Sequence, residues 1–207
     1  MWNEMANLEL KLSNSLFMKK QLLSVVAVLG LSAASFAQIG PVSLGAEIVT
    51  PLGDFGDVSS LGYGASAGYE HPVGDKIGVT ANIGYIMLSL DDEAKTFFKS
   101  YSMIPIQVGA RYYLGEKSKG AYIHGQVGVH SLSVTTKAID LGILGSIPET
   151  TSSDSYLSFG GGAGFMISDK LDINVRYSII TPDSEIEGAT ASTYAGVRIG
   201  YTLFGSN

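Results

Sequence analysis

The chain has 207 residues, 26 of them glycine, only 15% charged residues and a formal net charge of −6. That length suits one domain. With no cysteine, disulfides and thiolate metal sites are excluded, and a mildly acidic chain without a basic patch argues against nucleic acid as a partner.

Residues 1–17 precede Met18 and are expected to be an extension from an upstream start codon. Residues 18–37 read as a secretory signal peptide. Lys19 and Lys20 form its positive region, residues 22–31 its apolar region, and Ser35-Phe36-Ala37 places small residues where a signal peptidase reads them. Cleavage is expected after Ala37, leaving residues 38–207 as one domain without Trp2, the only tryptophan. The apolar run is too short for a spanning helix, which needs ~20 residues.

From residue 40 onward the chain reads as eight strands whose breaks alternate in length. The short breaks are 72–75, 115–120 and 168–170; the long ones are 51–60, 91–100, 136–153 and 182–191. Tight turns on one side and longer loops on the other are the plan of an outer-membrane barrel.

Successive strand side chains point to opposite sides, so each strand has two phases. One phase is apolar throughout: Leu44, Ala46 and Ile48; Tyr63, Ala65 and Tyr69; Val79, Ile83 and Tyr85; Ile106, Val108 and Tyr112. It continues with Ile123, Val127 and Val129; Leu157, Phe159 and Phe165; Ile173, Val175 and Tyr177; Val197, Ile199 and Tyr201. The other phase carries Gly, Ser, Asn and Gln together with every charge inside the strands: Glu47, Glu70, Arg111, Asp172, Arg176 and Arg198. An arginine against lipid at the midplane costs ~2–4 kcal/mol, so a membrane barrel keeps one phase free of charge. The balance of acids and bases on the second phase suits a confined lumen, where Glu47, Arg176 and Arg198, near mid-strand, are expected to form an ion network in which both arginines pair with Glu47, extended by Glu70, Arg111 and Asp172. An eight-stranded barrel is only just wide enough for its own side chains, and buried charges must be paired. The network therefore reads as a plug in preference to a gated channel. Aromatic residues near both ends of the apolar phase suit two interfacial girdles. Pro105 removes a ladder donor in a barrel that has no edge, and a bulge is expected there.

The chain resembles the small outer-membrane β-barrels of the OmpA/OmpX kind found in Bacteroidetes-type bacteria. The resemblance rests on Pro51-Leu52-Gly53-Asp54-Phe55 after the first strand, the Gly-rich strand 61–69, and the C-terminal segment 194–204. It implies an all-β, eight-stranded antiparallel up-and-down transmembrane β-barrel. It also implies that Tyr194, Gly196, Ile199 and Tyr201 belong to the signal read by the barrel-assembly machinery. Phe204 departs from the pattern, since by parity it falls on the lumen phase.

Other chemistry is weakly represented. His124 and His130 share a phase but lie ~20 Å apart along a strand, too far to hold one metal. The pair His130-Ser131 points to opposite faces and makes a poor catalytic site. The acidic clusters Asp91-Asp92-Glu93 and Asp183/Glu185/Glu187 read as solvated loops, because a Ca²⁺ site wants six or more oxygens in set geometry. The run Gly160-Gly161-Gly162-Ala163-Gly164 continues as strand and opens no helix, so it is no phosphate cradle. No cofactor is implied. The expected protein is a monomer embedded in outer-membrane lipid and lipopolysaccharide, presenting four loops to an extracellular partner. A narrow porin, a barrel enzyme and a soluble lipocalin-like binder are the rival readings.

Overall fold

The computed structural model describes residues 40–116, 119–140, 146–182 and 190–204. The signal peptide, Asp183, Glu185 and Glu187 lie outside the described residues. Ten strands are described: β1 (Val42–Leu52), β2 (Ser59–Val73), β3 (Ile77–Leu90), β4 (Phe98–Tyr113), β5 (Gly120–Thr136), β6 (Ile139–Asp140), β7 (Ser146–Ile147), β8 (Thr150–Met166), β9 (Leu171–Ile180) and β10 (Ser192–Phe204). Eight of them close a barrel in the order β1-β10-β9-β8-β5-β4-β3-β2, with every neighbouring pair antiparallel. The remaining two, β6 and β7, pair with each other inside the connection between β5 and β8.

Local chemistry sets the turns. Gly74 and Gly120 sit at φ 69° and 70°, a region that side-chain-bearing residues avoid. Ser168 Oγ accepts from the Lys170 and Leu171 amides and so fixes the β8–β9 turn. At the opposite end the connections are more elaborate: a 3-10 turn at Gly53–Phe55, one helical turn at Ala94–Phe97, and the β6–β7 hairpin. No described helix is long and apolar enough to cross a membrane.

The two phases separate as strand geometry demands. Ile48, Tyr85 and Val175 on the apolar phase are 56%, 51% and 54% exposed, whereas Ile86 and Met103 on the lumen phase are 0% exposed. From Ile77 to Met87 the outward phase of β3 is uninterrupted by a polar side chain, a tilted rise of ~23 Å that matches the apolar band of an outer-membrane barrel. Strands β5 and β8 run on for 17 residues each, ~40 Å of tilted strand and more than that band requires. Above Val129 and Leu157 their outward residues change to hydroxyls. Ser133 meets Ser153 at 2.7 Å and Thr135 meets Thr151 at 2.9 Å, cross-strand pairs suited to water. The expected 136–153 break is therefore partly barrel wall and partly hairpin, and the first residues of β8 belong to the sheet.

Two local expectations are corrected. No bulge forms at Pro105. The β3–β4 register is the same on both sides of it, Ile83↔Ile106 and Ile86↔Met103, with only the ladder between them interrupted. Gly84 makes room for the ring, since a Cβ there would lie 3.1 Å from Pro105 Cγ. The register slips elsewhere: between Ser59 and Leu61 on β2, between Phe98 and Ser100 on β4, and at the end of β10, between Val42↔Phe204 and Ser43↔Thr202. The extra residue brings Phe204 beside Val42 on the outward phase, 62% exposed, despite its parity.

The lumen is filled in layers. Toward the loop end lies an apolar layer of Val49, Phe55, Ile86, Leu88, Met103, Ile180 and Tyr194. Toward the turn end lies a smaller group of Tyr113, Tyr122 and Met166. The charged phase occupies the space between.

Candidate functional site in the barrel lumen

The six charged side chains come from β1, β2, β4, β9 and β10, and the register carries them to one region. Glu47 pairs directly opposite Arg198, and Arg198 opposite Asn174. Their contacts form a single alternating series. Arg176 donates to both oxygens of Glu47, one of the two bonds at 3.4 Å. Glu47 Oε1 lies 3.9 Å from Arg198 Nε, and Arg198 Nη1 lies 3.2 Å from Asp172 Oδ1. Asp172 Oδ2 then lies 3.9 Å from Arg111 Nη2, and Arg111 Nη1 lies 3.1 Å from Glu70 Oε2. Cation and anion alternate along the whole series, so every charge has an opposite neighbour. Low local dielectric makes such pairing obligatory for buried ions.

Neutral groups add to the coordination. Tyr113 donates to Glu70 at 2.9 Å, and Tyr122 donates to Asp172 at 2.6 Å. Arg198 also donates to Ser66 and Ser43, each at 3.0 Å. The Arg111 guanidinium stacks 4.1 Å from the Tyr122 ring centre, and Gln126 donates to Gln107 at 2.8 Å. Glycine supplies the volume these groups need. A Cβ on Gly78 would fall 2.2 Å from Glu70 Oε1, and one on Gly200 would fall 2.2 Å from Asp172 Oδ1. A small polar cavity of about 30 Å³ touches Arg111, His124, Gln126, Arg176 and Arg198. A second of similar size lies toward the turn end beside Glu70, Tyr113 and Asp172. Each has room for one or two waters.

Above the charges, Tyr194 caps the region. Its hydroxyl bonds to His130 Nε2 at 2.8 Å, and the Arg176 guanidinium lies 5.7 Å from its ring centre. His130 is thus a partner in the lumen, 0% exposed, while Ser131 lies on the opposite phase. His124 lines the polar cavity. The run 160–164 is a segment of β8. In the loop after β3, a hydrogen bond and the charge of Lys95 hold the Asp92 carboxyl below its ordinary range. Among the described residues no three His, Cys, Asp or Glu side chains gather as a metal site.

Sequence reasoning missed two parts of this arrangement. The tyrosines that satisfy Glu70 and Asp172 come from Tyr113 and Tyr122, whose lumen phase was legible but whose role was not. The apolar layer was hidden because Ile86, Leu88 and Met103 break the polar habit of the lumen phase near the loops. The remaining four site residues lie along β10. Tyr194 and Gly196 face the lumen, while Ile199 and Tyr201 are about half exposed on the outward face.

The architecture has known counterparts. The outer membrane protein beta-barrel domain family matches residues 23–202. No curated protein matches the sequence significantly. Among solved structures, the N-terminal β-barrel domain of Pseudomonas aeruginosa OprF is similar at TM-score 0.54 and 15% identity, over 80% of this chain and 98% of that one. Ail, the attachment invasion locus protein of Yersinia pestis, solved in complex with the heparin analogue sucrose octasulfate, is similar at TM-score 0.55 and 13% identity. That match covers 79% of this chain and 97% of Ail. At such identities the likeness concerns the fold.

Proposed function

This chain belongs to the outer membrane protein beta-barrel domain family, and on that premise we propose that it is a sealed structural barrel whose function lies in its loops. The barrel spans the outer membrane of a Gram-negative cell. Its four loop connections face outward, its C-terminal residues Tyr194, Gly196, Ile199 and Tyr201 serve recognition by the assembly machinery, and lipopolysaccharide surrounds its outward face. The P-x-G-x-F loop and Gly-rich second strand support kinship with Bacteroidetes-type porin-family proteins. It acts as a monomer, after removal of residues 18–37.

One observation supports the sealed reading above the others. The lumen is closed twice, by the alternating charges from Arg176 to Glu70 and by the apolar layer of Val49, Ile86, Met103, Ile180 and Tyr194. An ion would have to break paired charges and then cross a layer built mainly of buried apolar side chains. A catalytic role has little to draw on, because His130 Nε2 is committed to Tyr194. Planar-bilayer recording of the mature protein tests the proposal. Little or no steady conductance is expected in wild type, and brief openings are expected in Glu47→Ala. A large, steady wild-type conductance that Glu47→Ala leaves unchanged would overturn the plug and favour a narrow porin.

A further inference from the structure

The mouth of the barrel on the loop side holds a cavity of about 280 Å³. Among the described residues it is lined by Phe55, Val58, Leu90, Phe98, Tyr101 and Val134, with Asp54 and Ser192 as its polar members. The cavity is roughly twice the ~150 Å³ that accepts a benzene molecule in an apolar site. Barrel mouths are also common places for small ligands.

The lining has a specific chemistry. Three aromatic rings share the cavity with one carboxylate. Phe55, on the 3-10 turn, meets Tyr101 on β4 at 6.0 Å between ring centres with planes at 73°, so the two rings form walls set nearly at right angles. Phe98 opens β4 at the rim. Asp54 is exposed, and Thr190 donates to its Oδ2 at 2.7 Å, which fixes the carboxylate without neutralising it. Among the described residues no cation lines the cavity. The two lysines nearest along the chain to Phe98 are engaged elsewhere, Lys95 by Asp92 at 2.9 Å and Lys99 by Glu149 at 2.8 Å. Aromatic faces attract a weakly hydrated cation, and a nearby carboxylate adds charge complementarity.

We propose that this mouth binds a small organic cation, a quaternary or methylated ammonium head carried on a short apolar or aromatic body. The head sits among Phe55, Phe98 and Tyr101 with Asp54 as counter-ion. The body rests on Leu90, Val58 and Val134, above the apolar layer that closes the lumen. The proposal concerns the rim alone and does not depend on whether the lumen conducts.

Titration calorimetry on the mature barrel in nanodiscs of choline-free lipid tests it, with benzyltrimethylammonium as probe and empty nanodiscs as blank. Saturable binding at one site is expected, with phenylacetate at least about tenfold weaker because its charge opposes Asp54. Asp54→Asn, which keeps the shape of an exposed side chain, should weaken the cation and not the anion. Tyr101→Leu keeps an apolar wall but removes a π face, and should weaken the cation about tenfold. Val134→Trp should fill the cavity and abolish binding. Heat-modifiable gel mobility shows that each variant is folded; should Tyr101→Leu or Val134→Trp fail that check, Asp54→Asn and the anion comparison decide. Heats equal to those of empty discs, equal binding of cation and anion, or wild-type affinity in Asp54→Asn would each overturn the proposal.

Discussion

Glu47→Ala tests the lumen most sharply, because the two arginines that meet Glu47 are left in unequal positions. Arg198 retains Asp172 at 3.2 Å and the hydroxyls of Ser66 and Ser43 at 3.0 Å. Among the described residues Arg176 retains Tyr194, whose ring centre lies 5.7 Å away, and no second carboxylate. The side chains of Glu47 and Arg176 are 2% and 7% exposed, so Arg176 becomes a buried cation without a counter-ion. Removing one member of a buried pair costs about 3–5 kcal/mol. The polar cavity that touches Arg176 gives water a foothold, which places the expected loss at the lower end, about 3 kcal/mol. Glu70→Ala is the internal control. Its partner Arg111 is 18% exposed and keeps Asp172 at 3.9 Å and the Tyr122 ring, so a loss of roughly half that size is expected. The double variant Glu47→Ala with Arg176→Met removes both charges and should recover most of the stability. Urea titration of folding into lipid vesicles, read by heat-modifiable mobility, measures all of these. A Glu47→Ala loss below about 1 kcal/mol, the range of an exposed pair, would refute the reasoning. So would a double variant no more stable than the single one.

Three further outcomes are expected. Val175→Arg, at a position 54% exposed on the outward face, should cost about 2–4 kcal/mol, while Ser153→Arg, in the hydroxyl rows above the apolar band, should cost at most about 1 kcal/mol; equal effects in the vesicle titration would contradict the membrane position. Gly78→Ala forces a Cβ to within 2.2 Å of Glu70 Oε1 and should cost about 1–3 kcal/mol, whereas Gly125→Ala meets nothing within 4 Å and should be neutral; the same titration separates them. Intact-mass measurement of protein purified from membranes should give Gln38 as the first residue and no tryptophan, and a mass that retains residues 18–37 would mean an anchor.

The barrel was legible because the apolar and polar phases are out of step by one residue in every strand, and because turn lengths alternate. A strand such as Leu171–Ile180 announces both of its faces without help from its neighbours. What the sequence does not carry is register between strands. Mid-strand height on one phase suggests that Arg176 and Arg198 meet Glu47, but nothing local says that Arg198 also bridges to Asp172; that follows from which residues the closed ladder places at one height. Nor does periodicity expose exceptions whose cause lies on another strand. Pro105 stays in register because Gly84 sits beside it, and Phe204 turns outward because a bulge opposite Val42 and Ser43 adds one residue. The ends of β5 and β8 look like loop because Ser and Thr replace the apolar phase where lipid gives way to water. The mouth cavity joins Phe55, Phe98 and Tyr101 from separate segments, and such a constellation leaves no spacing to read.

The two kinds of lumen filling also divide the work of specifying the fold. Near the loops, Val49, Ile86 and Met103 make the lumen phase as apolar as the outer one. A one-residue slip of a strand exchanges its two faces, and in that layer the exchange is cheap. In the charged layer it is not. A slip of β9 alone would set Arg176 and Asp172 against lipid, costing about 2–4 kcal/mol for the arginine before any lost ion pair is considered. The pairs also reach past immediate neighbours. Glu47 on β1 meets Arg176 on β9 across β10, and Glu70 on β2 meets Arg111 on β4 across β3. Such contacts form only when the intervening strand is present and in register, so the charged layer penalises a missing, slipped or unclosed strand. The apolar layer supplies packing and the seal. The charged layer decides which closed barrel, among those the alternating pattern would tolerate, is the one that forms.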